Sequence, residues 1–186
     1  PVNVNTPISF AEKLYFIMKE NKYDDKKFFH QYSQMSRSVD GLKGAGEWHV
    51  LQKMLPDFQG KRVLDLGCGF GWHCQYAIEH GAVHALGIDL SHKMLEEATK
   101  RNNSPHIEYK CMAIEDFDYI PESYDIVISS LTFHYLELFP DICKKVHRCL
   151  TPGGTFVFSV EHPVFTAYGS QDWFYDKQRN ILHWPV

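Results

Sequence analysis

Residues 63–71 read Val-Leu-Asp-Leu-Gly-Cys-Gly-Phe-Gly, an apolar run around one carboxylate, followed by a loop with glycine at every second position. Such a strand and loop are typical of a turn that holds a nucleotide, because glycine lets the backbone approach a ligand closely. A second apolar run, residues 82–89, ends in Asp89, which follows Asp65 by 24 residues and is suited to binding a ribose diol. The two stretches together predict a ligand crevice between two strand ends.

The spacing of the glycines separates two classes of nucleotide site. A dinucleotide site needs Gly-x-Gly-x-x-Gly, but counted from Gly67 the last glycine position holds Trp72, and the third glycine, Gly71, comes one residue early. The observed form, Asp-x-Gly-x-Gly-x-Gly over residues 65–71 with Asp89 behind it, resembles the first motif of the class I S-adenosylmethionine-dependent methyltransferases. A nicotinamide-dependent dehydrogenase is the alternative that Trp72 opposes.

Three further motifs match the same family in the same order. They are residues 87–91 (Gly-Ile-Asp-Leu-Ser), residues 123–127 (Ser-Tyr-Asp-Ile-Val) and residues 150–154 (Leu-Thr-Pro-Gly-Gly). The resemblance covers residues 60–160, just over half of the chain, whereas the two ends match nothing diagnostic. Because four motifs occur in the order that the family has them, a chance match of the glycine loop does not explain the resemblance.

Apolar runs alternate with helical periodicity in this span, which predicts an α/β fold with a parallel sheet. Right-handed crossovers then give the strand order 3-2-1-4-5, flanked by helices, with the ligand outside the carboxyl ends of strands one and four. This is the Rossmann-like class I methyltransferase fold that the resemblance implies. The predicted strands are residues 61–65, 82–89, 107–111, 124–130 and 155–160, and the predicted helices are residues 8–19, 24–35, 47–55, 72–80, 91–102 and 139–149.

Length and composition predict one domain in three parts, since 186 residues with 44% hydrophobic side chains suit a single core. Residues 1–58 are expected to form a helical cover, in which the glycines of residues 36–46 make a mobile connector. Residues 59–162 are expected to form the S-adenosylmethionine-binding core, and residues 163–186 an aromatic tail or hairpin near the substrate opening. Family members add a sixth strand and an antiparallel seventh, so the chain is expected to be a fragment that lacks them.

Charge and cysteine usage narrow the expected partners and location. A net charge of −4, a pI near 6.3 and no Lys/Arg run longer than two residues argue against binding to nucleic acid. The apolar stretches are strand-sized, whereas a bilayer span needs about 20 residues. Five cysteines without a Cys-x-x-Cys pair, and no signal peptide, indicate reduced thiols in the cytosol. The expected protein is cytoplasmic, with no membrane partner, and its oligomeric state is left open.

The resemblance assigns parts of the cofactor S-adenosylmethionine to particular residues. Gly67 would hold the methionine part with its backbone, Asp65 would organise the loop and accept a hydrogen bond from the cofactor ammonium, and Asp89 would take the ribose hydroxyls. Arg37 could bind the cofactor carboxylate or lie on a solvated face. The complete predicted cofactor set is Arg37, Asp65, Gly67, Cys68, Gly69, Asp89, Leu90, Met94, Ala113, Ile114, Glu115, Ser130 and Leu131.

The adenine end of the cofactor is where the match is less complete. Leu90 and Met94 would line one face of adenine, and residues 112–116 would close on the other. Many family members have an acid where this chain has Met112, so Glu115 or a backbone carbonyl would receive the adenine amino group. Ser130 and Leu131 would flank the sulfonium after strand four.

Two histidines are the candidate catalytic residues. Methyl transfer is an in-line displacement for which the protein supplies alignment and, when the nucleophile is protonated, a base. His134 follows strand four and could be that base, because an imidazole with an ordinary pKa of about 6.5 is free at neutral pH. Its alternative role is packing or helix entry. His162, next to Glu161, could face the acceptor or begin a loop.

Cys68 and Cys74 raise the question of a metalloid site, since some methyltransferases that act on arsenite bind it through thiolates. Their spacing does not require such a site, because Cys68 lies at a motif position where the family often has cysteine, and Cys74 follows one helical turn later on a face expected to be packed. Core thiols are the preferred interpretation, and no metal is predicted.

The predicted function is methyl transfer from S-adenosylmethionine to a small-molecule acceptor, with S-adenosylhomocysteine as the co-product. The tetrapeptide Asn-Pro-Pro-Tyr, the family's usual signal for exocyclic amines of bases and for glutamine side chains, is absent from the sequence. Oxygen, nitrogen and carbon acceptors all stay open. The alternative function is a non-catalytic S-adenosylmethionine-binding sensor or partner subunit.

Overall fold

The computed structural model of the protein describes residues 21–166, 174–178 and 180–183. Its central feature is a five-stranded sheet in the order β3-β2-β1-β4-β5, and every neighbouring pair of strands is parallel. The predicted fold class and strand order are therefore confirmed. The strands are β1 (Arg62–Leu66), β2 (His84–Asp89), β3 (Ile107–Cys111), β4 (Tyr124–Ser130) and β5 (Leu150–Ser159).

Helices flank this sheet and connect its strands. They are α1 (Lys26–Ser33), α2 (Ser36–Val39), α3 (Trp48–Met54), α4 (Trp72–Glu79), α5 (His92–Arg101), α6 (Phe139–Cys149) and α7 (Pro163–Thr166). Their ends follow local chemistry: Ser91 caps α5 by accepting a hydrogen bond from Met94 N, and Asp25 caps α1 by accepting from Lys27 N and Phe28 N. The predicted helix 8–19 lies outside the described residues.

The prediction of a mobile connector over residues 36–46 is wrong. This segment contains α2 and a 3₁₀ turn at Gly41–Gly44, and the Ser36 hydroxyl donates to Gly44 O at 3.1 Å. A Cβ built on Gly44 would lie 2.3 Å from Ser36 O. The glycine therefore allows the chain to pack closely against itself, which is the opposite of a flexible joint.

Strand β5 begins five residues before its predicted start. Tyr124 of β4 pairs with Leu150, and regular pairing resumes at Ile126 and Thr155 after an irregularity. Residues 152–154, Pro-Gly-Gly, read as a break in sequence but lie within the strand. In the tail, β6 (Phe174–Tyr175) and β7 (Ile181–His183) pair antiparallel, as the predicted hairpin requires.

The core lies on both faces of the sheet, because successive side chains of a strand point to opposite sides. Leu64 and Leu66 of β1 pack in one cluster with residues of β2, β4 and α6. Val63 packs in the other cluster with Cys68, Cys74 and residues of α4. Both cysteines are free and buried, which agrees with core thiols.

No described helix is long and apolar enough to cross a membrane. No group of three or more His, Cys, Asp or Glu side chains in the described part of the chain could hold a metal ion.

Candidate functional site

The glycine loop joins the carboxyl end of β1 to α4 in a compact turn. Gly67, Gly69 and Gly71 have φ angles of +77°, +53° and +75°, a region that side chains other than glycine rarely adopt. The backbone N–H groups of Gly67 and Cys68 both donate to Ile88 O, at 2.8 and 2.9 Å. These two bonds hold the loop against the end of β2, where the second predicted acid lies.

Asp89 connects the glycine loop to the start of α5. Its Oδ2 accepts from Gly69 N at 2.9 Å, and its Oδ1 accepts from Ser91 N at 2.9 Å. Burial raises the pKa of Asp89, and the two N–H donors act against that rise. Each carboxylate oxygen keeps a second lone pair for a ligand hydroxyl.

Asp65 is completely buried at the fourth position of β1. Its Oδ2 accepts from Cys74 Sγ at 3.6 Å and lies 4.0 Å from His73 Nδ1, whereas its Oδ1 has no hydrogen-bond partner. Burial raises the pKa of Asp65 to about 7, although the bond from Cys74 opposes the shift. An unpaired buried carboxylate oxygen is an acceptor available to a cationic ligand group.

His73 was absent from the predicted site, yet it lies beside Asp65. Burial lowers the pKa of His73 to about 4, so the imidazole is neutral at pH 7. The Trp48 ring packs edge-on against it, with 5.7 Å between ring centroids. Its position in the first turn of the helix after the glycine loop is the sequence signal that could have identified it.

A cavity of about 60 Å³ lies between the glycine loop and the segment that contains α1, α2 and the following turn. Arg37 lines it and forms an ion pair with Glu47, with 2.5 Å between Nη2 and Oε1. Ser130 Oγ donates to the same Glu47 oxygen at 3.2 Å. The cavity is lined by Tyr32, Arg37, Ser38, Gly41, Leu42, Ala45, Gly67, Cys68, Gly69, Phe70, Trp72, His73 and Ser130.

Arg37 therefore does not lie on a solvated face, although its contact with a cofactor carboxylate stays a prediction. Glu47 is a second residue of the site that no sequence motif indicates. Although burial alone would raise the pKa of Glu47, hydrogen bonds and the Arg37 guanidinium hold it below its ordinary value. An ionised Glu47 thus fixes both Arg37 and Ser130 at the cavity wall.

Residues 21–24, which precede α1, are hydrogen-bonded to the turn that follows β2. Asp24 Oδ1 accepts from Ser91 Oγ at 2.6 Å and from Lys93 N at 3.1 Å. Asn21 Nδ2 donates to Leu90 O at 3.2 Å. These contacts place residues 21–24 directly beside Asp89.

The predicted adenine-side residues lie at the carboxyl ends of β2 and β3. Met94 is 3% exposed, and its Cε lies 3.8 Å from the position of a Cβ built on Gly69. Ala113 and Ile114 are buried, and Ile114 packs in the core. The Glu115 backbone oxygen accepts from Lys145 Nζ at 2.8 Å. Contact of any of these residues with adenine stays a prediction.

The end of β4 is held in an unusual backbone conformation. Leu131 has a φ angle of +52°, and its N–H donates to Ser159 O at 2.9 Å. Ser129 Oγ donates to Leu66 O at 2.7 Å, which ties β4 to β1. Strained backbone of this kind is often found at functional sites, where the surrounding structure holds it.

The two candidate catalytic histidines both accept hydrogen bonds from nearby backbone. His134 Nδ1 accepts from Glu161 N at 3.5 Å, and His162 Nδ1 accepts from Val164 N at 3.2 Å. Burial lowers the pKa of His134, against the opposing charge of Glu161. With Nδ1 as the acceptor, a neutral ring carries its proton on Nε2. Each ring would have to leave its backbone donor to act as a base, and both catalytic roles stay predictions.

Comparison with known proteins identifies relatives of this chain. Residues 64–158 match the family model described as a methyltransferase domain. A crystal structure from Listeria monocytogenes, assigned as an S-adenosylmethionine-dependent methyltransferase, is 61% identical with a TM-score of 0.71, over 76% of this chain and 66% of that one. An S-adenosylmethionine-dependent methyltransferase from Mesorhizobium loti is 46% identical with a TM-score of 0.66, over 68% and 59%.

Several relatives are named for specific methyl-transfer reactions, on oxygen in some and on nitrogen in others. The ubiquinone biosynthesis O-methyltransferase of Neisseria meningitidis serogroup C is 36% identical over 160 residues, which are 76% of this chain and 65% of the relative. The chain thus spans about three fifths to two thirds of the length of the proteins it matches.

Proposed function

The chain belongs to the class I S-adenosylmethionine-dependent methyltransferase family, and from that premise we propose that it transfers a methyl group from S-adenosylmethionine to a small-molecule acceptor. S-adenosylhomocysteine is the co-product. The observation that carries the proposal is the Asp89 carboxylate, which accepts from both Gly69 N and Ser91 N at the mouth of the glycine loop. A ribose diol beside this carboxylate would lie next to the loop that receives the rest of the cofactor.

The polar groups around the loop fit the cofactor. Asp65 Oδ1 is buried without a partner and offers an acceptor to an ammonium group. A Cβ built on Gly69 would make only ordinary van der Waals contact, with Met94 Cε 3.8 Å away, so the protein leaves the backbone of Gly69 uncrowded. Arg37 offers a cation for a carboxylate. S-adenosylmethionine, when bound, supplies a methyl group that its own sulfonium activates.

The residues of the chain would hold and align the reactants. Asp89 would hold the ribose, Met94 and Leu90 would support the adenine, and the strained Leu131 with Ser130 would shape the path to the acceptor. Glu47 fixes Ser130 from behind through a 3.2 Å hydrogen bond. Alignment of this kind supplies much of the rate gain in a bimolecular displacement.

A small molecule is the acceptor class that the properties of the chain support. The net charge of −4 and the lack of a long basic run give no electrostatic attraction to nucleic acid. The Neisseria relative acts in ubiquinone biosynthesis as an O-methyltransferase, which supports an acceptor with a hydroxyl group. The acceptor atom is part of the proposal.

A non-catalytic, S-adenosylmethionine-binding protein is the second candidate. It is favoured by one observation, namely that His134 and His162 each use Nδ1 to accept from a backbone N–H. A protein that only binds the cofactor needs no free base. A transferase needs none either when the acceptor group already has a low pKa, so this observation does not exclude catalysis.

The test of the proposed function has two stages. Calorimetric titration with S-adenosylmethionine, S-adenosylhomocysteine and NAD is expected to show binding of the two sulfur ligands and none of NAD. Release of S-adenosylhomocysteine is then measured with a panel of phenols, carboxylic acids and amines. Turnover with one of these classes supports the transferase. Tight cofactor binding with no turnover in any class supports the sensor, and binding of NAD alone contradicts both.

Asp65 makes cofactor binding depend on pH in a predictable direction. The pKa of Asp65 is about 7 in the folded protein against an ordinary value of 3.8. A cofactor ammonium would favour the ionised form, so binding should expel a proton below pH 7. S-adenosylhomocysteine is expected to bind about tenfold more weakly at pH 6 than at pH 8.

Calorimetry of the wild type and of Asp65→Asn between pH 6 and pH 8 checks this prediction. The variant is expected to bind more weakly but with a flatter pH profile. His73, with a pKa of about 4, does not titrate in this window, whereas burial also raises the pKa of Asp89. A profile that keeps its full slope in Asp65→Asn would assign the effect to Asp89 instead.

The same shift affects folding without the ligand. Since the folded protein holds a proton that the unfolded chain releases between about pH 4 and pH 7, the contribution of Asp65 to stability decreases as pH rises through that range.

A further inference from the structure

Three buried side-chain polar atoms in the described part of the chain lack a hydrogen-bond partner. They are Ser38 Oγ, Asp65 Oδ1 and Trp72 Nε1. Ser38 and Trp72 line the same cavity as Arg37. Asp65 lies beside this lining, with 4.0 Å between its Oδ2 and Nδ1 of the lining residue His73. Because native proteins pair almost all their buried polar groups, three unpaired atoms around one cavity indicate a polar ligand there.

These polar groups are of two opposite kinds, hydrogen-bond donors and a hydrogen-bond acceptor. The indole N–H of Trp72 can only donate, the Ser38 hydroxyl can donate, and the Arg37 guanidinium is a permanent cation with donors to spare. Asp65 Oδ1, in an ionised carboxylate, can only accept. Donors with a cation suit a carboxylate, whereas an acceptor suits an ammonium group. An α-amino acid group carries both.

We propose that Ser38 and Trp72 donate hydrogen bonds to the carboxylate at the amino-acid end of the cofactor, together with Arg37. The proposal rests on the proposed function for the identity of the ligand. It assigns binding roles to two residues that the glycine motif does not indicate, one from α2 and one from the start of α4.

Both residues are held in place from behind. The Trp72 ring packs on Gly41, where a built Cβ would lie 3.1 Å from ring atoms, so a side chain at Gly41 would displace the indole. The Ser38 backbone oxygen accepts from Arg101 Nη1 at 2.7 Å. The Arg101 guanidinium also lies over the Phe70 ring, 4.9 Å from its centroid. These contacts fix the unpaired donors before the ligand arrives, which lowers the entropic cost of binding.

The unpaired groups of the cavity should distinguish between ligands that share the adenosine part. A cofactor analogue without the amino-acid group would leave Ser38, Trp72 and Asp65 unpaired and would gain nothing from them. 5′-Methylthioadenosine keeps the adenine, the ribose and the sulfur but lacks the amino-acid group. It therefore separates the contacts at Asp89 from those proposed here.

The experiment compares S-adenosylhomocysteine with 5′-methylthioadenosine by calorimetry on Trp72→Phe and Ser38→Ala. Each substitution is expected to weaken S-adenosylhomocysteine binding about tenfold or more, because a hydrogen bond to a charged group is lost. Binding of 5′-methylthioadenosine is expected to stay within about twofold of the wild type. Tyr124→Phe and Ser123→Ala, at and just before the amino end of β4, are the controls, since neither residue lines the cavity, and neither should alter the affinity of either ligand.

Each other outcome has a definite meaning. Equal weakening of both ligands would show a structural role for the substituted residue and would overturn the proposal, as would unchanged affinity for S-adenosylhomocysteine. If Trp72→Phe does not fold, Ser38→Ala decides alone, because its change is a single buried oxygen. A wild type that binds neither ligand would overturn the proposed function, and the carboxylate assignment with it.

Discussion

Gly67→Ala is expected to abolish detectable S-adenosylhomocysteine binding and to lower the free energy of unfolding by about 2–4 kcal/mol, the sum of a left-handed backbone cost and steric overlap. Gly67 has a φ angle of +77°. A Cβ at this position would lie 2.2 Å from Thr132 Oγ1 and 2.5 Å from Thr132 Cγ2. Either the loop or Thr132 must move, and movement of the loop displaces the backbone that would receive the cofactor.

Gly153→Ala is the matched control for the backbone term. Gly153 has a φ angle of +79°, but a built Cβ has no atom within 4 Å. Its substitution should cost about 1 kcal/mol and leave ligand affinity unchanged, because only the backbone strain is introduced. Chemical denaturation gives the two free energies, and calorimetry gives the two affinities. A Gly67→Ala protein no less stable than Gly153→Ala would contradict the steric argument.

Thr132 provides a further check on the same argument. Its hydroxyl donates to Ser130 O at 3.1 Å, which holds it in place against Gly67. Thr132→Ala removes the two atoms closest to the new methyl group but leaves Thr132 Cβ, 2.8 Å away. Combining it with Gly67→Ala should therefore recover part of the lost stability, and the double-mutant cycle measures that coupling.

The parts of the fold that could be predicted are those in which local pattern and burial agree. Strand β1 is buried on both faces from Val63 to Leu66, so its residues are apolar except Asp65, and the loop after it needs positive φ angles that glycine supplies. Asp89 could be found because it stands at the end of a similar run. Each of these signals lies within a few residues of the feature that it predicts.

The parts that could not be predicted depend on contacts between distant segments. Glu47 meets Ser130 across 83 positions of sequence, and Asp24 meets Ser91 across 67. Nothing near Glu47 in sequence indicates that it faces an arginine and a serine at the cavity. The same limit applies to Trp72, whose mismatch with a dinucleotide motif is visible in sequence, whereas its unpaired indole nitrogen is visible only in the structure.

The glycines of residues 36–46 show a second limit. Glycine permits flexibility, but it also permits the close approach of two backbones, and sequence does not distinguish the two uses. Gly44 lies against the Ser36 backbone, and Gly41 lies against the Trp72 ring. Gly41 therefore forms part of the cavity wall, and Gly44 closes the turn that follows it, where a flexible connector would have left the cavity open.

Asp89→Ala is expected to weaken S-adenosylhomocysteine binding by at least about 100-fold, because two charge-assisted hydrogen bonds to the ribose would be lost. The loop would also lose its own support. Asp89 is the acceptor for Gly69 N and Ser91 N, and both N–H groups would be left without this carboxylate. Calorimetric titration of the variant with S-adenosylhomocysteine measures the effect.

Asp125→Ala is the control for a general loss of stability. Its carboxylate accepts from Arg62 N, Nε and Nη2 at the amino ends of β1 and β4. The glycine loop lies at the opposite, carboxyl end of β1. This variant should be less stable than the wild type but should bind S-adenosylhomocysteine with unchanged affinity. If both variants lose affinity in proportion to stability, Asp89 is a structural residue and the ribose assignment is wrong.

Asp89→Asn tests whether charge or shape matters at this position. The asparagine side chain has nearly the same size, but it offers one oxygen to two backbone donors, so its NH₂ group must face either Gly69 N or Ser91 N. Two donors facing each other displace the loop, and a single neutral oxygen is a poorer acceptor for a diol than a carboxylate. The expected affinity is therefore close to that of Asp89→Ala. Near wild-type affinity in Asp89→Asn would mean that the ligand does not use this carboxylate.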